Sequence, residues 1–246
     1  MWYFSVQGRC VTASFRVPET HTFHQTLPLP SRTMMIGLLG AALGLPLPQA
    51  HDFAKDHGVL VSVSGSHQGF MKDLWNYRKV TTKEFAAEEL KGRPHYSVLT
   101  REYLVYPSFT FIYASEDVSA LKDMAAAFRN PAYALSAGNS DDLLKVTEVS
   151  EVAEVSFAPL QQFENTVLPG NLVSQCKYDI KAALQNKPVT FSFRMPEVFT
   201  LPTSFSFSGE LRTGIDPQPF TFVRDAVTLT EPLEGCTVNG KNYVLY

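Results

Sequence analysis

Residues 13–45, ASFRVPETHTFHQTLPLPSRTMMIGLLGAALGL, join a polar, proline-punctuated loop directly to an almost wholly apolar run. Ser31 is placed to cap a helix over Arg32–Leu43. A helix with no polar face is a buried helix. Gly37, Gly40 and Gly44 each cost about 1 kcal/mol of helix propensity relative to Ala, which implies close approach of another backbone. The run Met34–Leu47 is shorter than the roughly 20 apolar residues a bilayer needs and is broken by Pro46 and Pro48, so it reads as one buried helix and no membrane segment. Ahead of it, Ser14, Arg16, His21, His24, Arg32 and Thr33 stand at or before the helix N-terminus. Backbone N–H groups and the macrodipole favour a phosphate there.

Working outward, Trp2, Phe4 and Val6 alternate with Tyr3, Ser5 and Gln7 as a half-buried strand does, and Gly8–Pro30 reads as irregular loop. Val59, Val61 and Val63 mark a second strand. Residues 66–99 lose the pattern and gain charge, strand character returns over 99–114 around Pro107, and Val118, Leu121, Ala125 and Phe128 share one face of a helix stopped by Pro131. A further strand lies within Leu144–Phe157. Strand, helix, strand, insertion, strand, helix, strand is the order of a ferredoxin-like or RNA-recognition-type α+β domain, with the insertion as a protruding β-hairpin. The expected organisation is residues 1–158 as this domain, with its insertion at about 66–99, and 159–246 as a smaller β-rich C-terminal part carrying Val189-Phe191-Phe193, Phe205-Phe207, Phe220-Phe222 and Val227-Leu229.

A chain of 246 residues with 45% hydrophobic and 18% charged residues is a soluble globular protein, and a formal charge of −3 excludes nucleic-acid binding by overall positive field. The charge is uneven. Residues 1–35 carry Arg9, Arg16 and Arg32 against Glu19, whereas residues 138–165 carry six acids against Lys145 alone, so a polyanion contact must be local. Three distant cysteines give neither metal spacing nor a disulfide framework, and no signal peptide opens the chain, which suits the cytoplasm.

No nucleophile elbow, HExxH, P-loop or dinucleotide fingerprint is present, so no catalytic residues and no cofactor are assigned. His21 and His24 lack a third metal ligand, and Asp141-Asp142 reads as a turn or cap before Leu143-Leu144. Trp75-Asn76-Tyr77-Arg78-Lys79 has the composition of a single-strand site, rings for stacking and cations for phosphates; a hairpin with one ring in the core and a solvated charged edge fits it equally.

Three segments, in order, resemble the CRISPR-associated Cas five (Cas5) family of type I Cascade subunits: residues 13–45 quoted above, TREYLVYPSFTFIYA at 100–114, and NPAYALSAGNSDDLL at 130–144. The closest likeness is to the subtype I-B branch. The resemblance implies that the hairpin is a thumb, that the chain grips the 5′ handle of the guide RNA (crRNA), and that its partners are the Cascade backbone subunit, the large subunit and the target DNA. On that reading Arg16, Arg32 and Thr33 meet phosphates with Ser14 and His24 assisting, while Trp75, Tyr77, Arg78 and Lys79 serve the thumb contact. The alternative is a metal-independent endoribonuclease of CRISPR repeat RNA, the role of one branch of the family, for which Tyr77, Lys79 and His95 are the candidate trio.

Overall fold

The alternation at the start of the chain becomes β1 (Trp2–Arg9), whose Phe4 and Val6 are fully buried. The structure, a computed structural model, describes residues 1–20, 23–78, 91, 96–178, 194–209 and 211–246. The expected irregular loop holds four two-residue strands, β2 (Thr12–Ala13), β3 (Phe15–Arg16), β4 (Phe23–His24) and β5 (Thr26–Leu27). Helix α1 (Arg32–Leu43) has the expected bounds, but the apolar run to Leu47 is not one helix: α2 (Leu47–Asp56) follows, bent by 104° from α1. Gly44 at φ 76° closes α1, and Pro46 and Pro48 begin α2 because the first helical turn needs no proline N–H. Gly40 admits the close approach its propensity cost implied, since a Cβ there would lie 2.5 Å from that of Ala50 in α2; Gly37 meets only ordinary contact. No single helix among the described residues is long and apolar enough to cross a membrane.

Then follow β6 (Leu60–Ser66), β7 (Gly69–Arg78), β8 (Tyr96–Val105), β9 (Ser108–Ser115) and α3 (Val118–Arg129). Asp117 caps α3 by accepting from the Ala120 N–H at 3.0 Å, and Leu121, Ala125 and Phe128 are buried as the spacing predicts. The chain continues through β10 (Lys145–Val149), β11 (Ala153–Glu154), β12 (Phe157–Phe163), β13 (Thr166–Pro169), β14 (Cys176–Lys177), β15 (Glu197–Ser208), β16 (Leu211–Val223), β17 (Val227–Val238) and β18 (Lys241–Tyr243). The expected strand Val189-Phe191-Phe193 lies outside the described residues.

The main sheet runs β10-β1-β9-β6-β13-β16-β15, all antiparallel, with β11 also on β1. It crosses residue 158: β13 joins β6 through Thr166↔Ser64, and β16 and β15 extend it outward. One face packs on α1 and α3 through Phe4, Phe111 and Tyr113; Phe4 and Tyr113 stack with ring centroids 5.4 Å apart, and Phe128 of α3 lies 5.2 Å from Tyr113. The opposite face is partly covered by a second sheet, β12-β17-β14 with β18, where Tyr3 and Ile112 meet Cys236, Val238 and Tyr243. Hence β6 is buried on both sides, and Ser64 there hydrogen-bonds the Tyr243 hydroxyl at 2.7 Å.

Candidate nucleic-acid interface

The stretch read as one strand around Pro107 is two strands in different sheets. β9 stays in the main sheet; β8 leaves it with β7 as an antiparallel hairpin, in register from Gly69↔Val105 to Arg78↔Tyr96. The insertion expected at about 66–99 is thus a hairpin whose arms span 69–105, with 79–90 and 92–95 outside the described residues. The loop strands clasp the other edge of β8: β2 at Thr12↔Val105 and β4, in parallel, at Phe23↔Thr100 and His24↔Arg101.

Strand alternation divides the aromatic–basic cluster. Trp75 and Tyr77 share one face with Arg101 and Tyr103; Arg78 falls on the other with Tyr96, Lys72 and Phe70. Lys79 lies outside the described residues. The cation beside Trp75 is therefore Arg101, whose guanidinium lies 3.9 Å from the ring centroid. Sequence reading missed it because the partner is 26 positions away, brought in only by the hairpin register. The other face carries a second cluster with no local signature. Arg224 and Arg194 lie 4.7 and 5.6 Å from the Phe70 ring, His67 packs on that ring at 4.6 Å, and Lys72 sits 5.0 Å over Phe23. Burial first, then the two arginines, hold the His67 pKa down at about 4, so the imidazole is neutral.

The loop residues separate into surface and scaffold. Arg16 is exposed and closes a turn by donating to the Thr20 carbonyl through Nε at 3.2 Å and Nη2 at 2.9 Å. His24 is half-buried against β8. Three of the expected anion contacts hydrogen-bond within the protein. Ser14 is buried and donates to the Glu102 carbonyl at 2.9 Å; Gly138 packs so tightly on it that a Cβ would overlap the Ser14 carbonyl oxygen. Thr33 is buried with its hydroxyl 3.1 Å from that of Ser31, which caps by position but bonds no backbone N–H. Arg32 donates to the carbonyls of Thr203 at 2.8 Å and Val59 at 3.1 Å, and burial pushes its pKa down. Arg32 thus fastens the N-terminus of α1 to β15 and to the residue that precedes β6.

The groove beside Arg16 accordingly opens toward the C-terminal half and not toward the hairpin. A cleft of about 840 Å³ lies between Arg16, Pro18 and Glu19, helix α1, and the β15–β16 pair, with Arg212 stacked 4.6 Å over Phe205 on its far wall. The acidic pair also separates: Asp142 is buried, accepting from the Thr12 hydroxyl at 2.5 Å and from Asn139 Nδ2 at 3.1 Å, while Asp141 is exposed. Among the described residues, no three His, Cys, Asp or Glu side chains converge as a metal site.

A family model described as CRISPR-associated protein (Cas_Cas5) matches residues 6–193. A chain of a CRISPR RNA-guided surveillance complex aligns with a TM-score of 0.51 at 16% identity, covering 93% of this chain and 91% of its own length. A CRISPR protein from Archaeoglobus fulgidus gives a TM-score of 0.50 at 10% identity, covering 99% and 98%. At these identities the structural likeness speaks for the sheet-rich α+β fold. No curated protein matches the sequence.

Proposed function

The chain belongs to the CRISPR-associated Cas5 family, and from that premise we propose that it is a non-catalytic, cytoplasmic subunit of a type I Cascade complex. It binds and caps the 5′ handle of the crRNA and helps assemble the RNA-guided, DNA-targeting particle beside the backbone and large subunits. The order β10-β1-β9-β6 with α1 and α3 on one face is read as ferredoxin-like, of RNA-recognition type, and the β7–β8 hairpin as its thumb.

The observation that carries this reading is the hairpin face on which Arg101 lies over Trp75 beside the exposed ring of Tyr77. Splayed bases stack on rings and guanidinium planes, and a handle offers unpaired bases. Arg16, outside the hairpin, is the one loop arginine of the expected pair that remains at the surface.

The test compares handle RNA with a scrambled RNA of equal length in filter binding. The Tyr77→Ala/Arg101→Ala protein should lose about tenfold or more on the handle, given roughly 1–3 kcal/mol per stacked base. An equal loss on both RNAs contradicts handle recognition. Repeat RNA incubated with the protein in EDTA should stay intact; cleavage would revive the Tyr77, Lys79 and His95 alternative, of which Lys79 and His95 lie outside the described residues.

A further inference from the structure

Register places two cations directly opposite each other at the end of the main sheet. Arg9 in β1 faces Lys145 in β10, the single base of the acidic 138–165 tract. Both are exposed, and neither makes an ion pair with a described residue. Like charges opposite one another in a sheet are destabilising unless something anionic lies over them. The nearby carboxylates do not serve: Glu148 accepts from Gln7 Nε2 at 2.8 Å and Asp142 is buried against Thr12 and Asn139. The row continues across the sheet in register, Lys145↔Arg9↔Ser108↔Ser66, and the two serine hydroxyls, both exposed, lie 3.2 Å apart.

A second observation adjoins this row. The backbone ladder runs on past Arg9, with the Cys10 N–H donating to the Pro107 carbonyl and the Tyr106 N–H to the Val11 carbonyl at 2.8 Å. Tyr106 sits there at φ 46°, a left-handed conformation that a bulky side chain adopts only at a cost, and the residue is 57% exposed beside Val11 at 67%. Tyr106 lies with Pro107 in the turn between β8 and β9, at the root of the hairpin, and that turn presents its side chain to solvent.

We propose that this sheet end, Arg9, Lys145, Ser66 and Ser108 with the ring of Tyr106, is a separate contact for a single-stranded nucleic acid: the cations and hydroxyls take the phosphate backbone and Tyr106 stacks one base. It deepens the proposed RNA-binding role and rests on it. The strip lies where β6 and β9 feed the hairpin, so a strand crossing it continues onto β7 and β8.

Full-length protein is titrated with labelled oligouridine and, in parallel, oligothymidine over a salt series; the two arms tell an RNA strand from a DNA strand. Neutralising two single-strand phosphate contacts in Arg9→Gln/Lys145→Gln should lower the slope of log affinity against log salt by about 1.4. Tyr106→Gly should bind about tenfold more weakly yet melt at a higher temperature, because glycine adopts positive φ without strain. That opposed pair of shifts separates a stacking role from a folding one. Parental affinity and slope in all variants overturn the inference alone. The same holds if RNA binding is unchanged while an acidic partner protein no longer co-purifies. Parental protein that binds neither these probes nor handle RNA overturns the proposed function with it.

Discussion

Replacing Arg32 by Met keeps the aliphatic stem and removes only the guanidinium. The donors lost are those to the Thr203 carbonyl in β15 at 2.8 Å and to the Val59 carbonyl just before β6 at 3.1 Å. A hydrogen bond from a charged donor contributes about 1.5–3 kcal/mol, and an abandoned buried carbonyl adds its own desolvation cost. Against this stands the cost of burying the cation, visible in its lowered pKa. The balance is a loss of about 2–4 kcal/mol, or roughly 5–15 °C in melting temperature for a chain of this size. Arg16→Met, which breaks bonds to a carbonyl within its own exposed turn, should change stability by less than about 0.5 kcal/mol. Thermal melts and RNA titrations of both proteins decide the matter. If Arg32→Met melts like the parent and binds handle RNA more weakly, the guanidinium is a phosphate ligand and its assignment to the scaffold is wrong.

His67 should give stability an acid limb. Its folded pKa is held at about 4, below the roughly 6.5 of an exposed imidazole, so between those values the unfolded chain binds the extra proton. Stability is therefore present above about pH 6.5 and falls as pH drops toward 4, by about 1–2 kcal/mol once screening of a half-exposed group is allowed for. His67→Gln should flatten the urea midpoint over that range; an unchanged slope assigns the limb to other groups. The thiols give a simpler readout. Burial pushes Cys10 up to about 12 and Cys236 up to about 11, so neither should react with a thiol reagent at pH 8 in the folded protein, whereas all three cysteines should react after unfolding. Fast native modification of Cys10 or Cys236 would show that their burial is wrong.

What could be read from the residues was what local periodicity encodes. Phe4 and Val6 specify β1, and the Asp117 cap with Leu121, Ala125 and Phe128 specifies α3, because both signals lie within a few residues of the structure they create. Helix α2 is hard to see in the sequence because Pro46 and Pro48 look like breakers, although proline is tolerated in a first helical turn. The aromatic–basic run at 75–79 was legible as a composition but not as a surface: period-two alternation sends Trp75 and Arg78 to opposite faces, and pairing supplies Arg101 in place of the adjacent cation. The charge of Arg32 at a helix start suggests an anion contact, whereas the bond it makes is to Thr203, 171 residues away.

The same physics explains why the least recognisable part of the sequence matters to the site. Residues beyond 158 carry no part of the three family-like segments, yet Val167, Leu201, Phe220 and Phe222 lie in one continuous core with Phe4, Leu39 and Phe128. The Thr203 carbonyl accepts from Arg32, the Tyr243 and Ser64 hydroxyls share a hydrogen bond, and Arg194 and Arg224 lie against Phe70 at the foot of the hairpin. Each contact needs only a carbonyl, a hydroxyl or a cation at the right place, which many sequences can provide. The hairpin is therefore tied at its base to the C-terminal half by contacts that many sequences could supply, and such contacts leave no local signature to read.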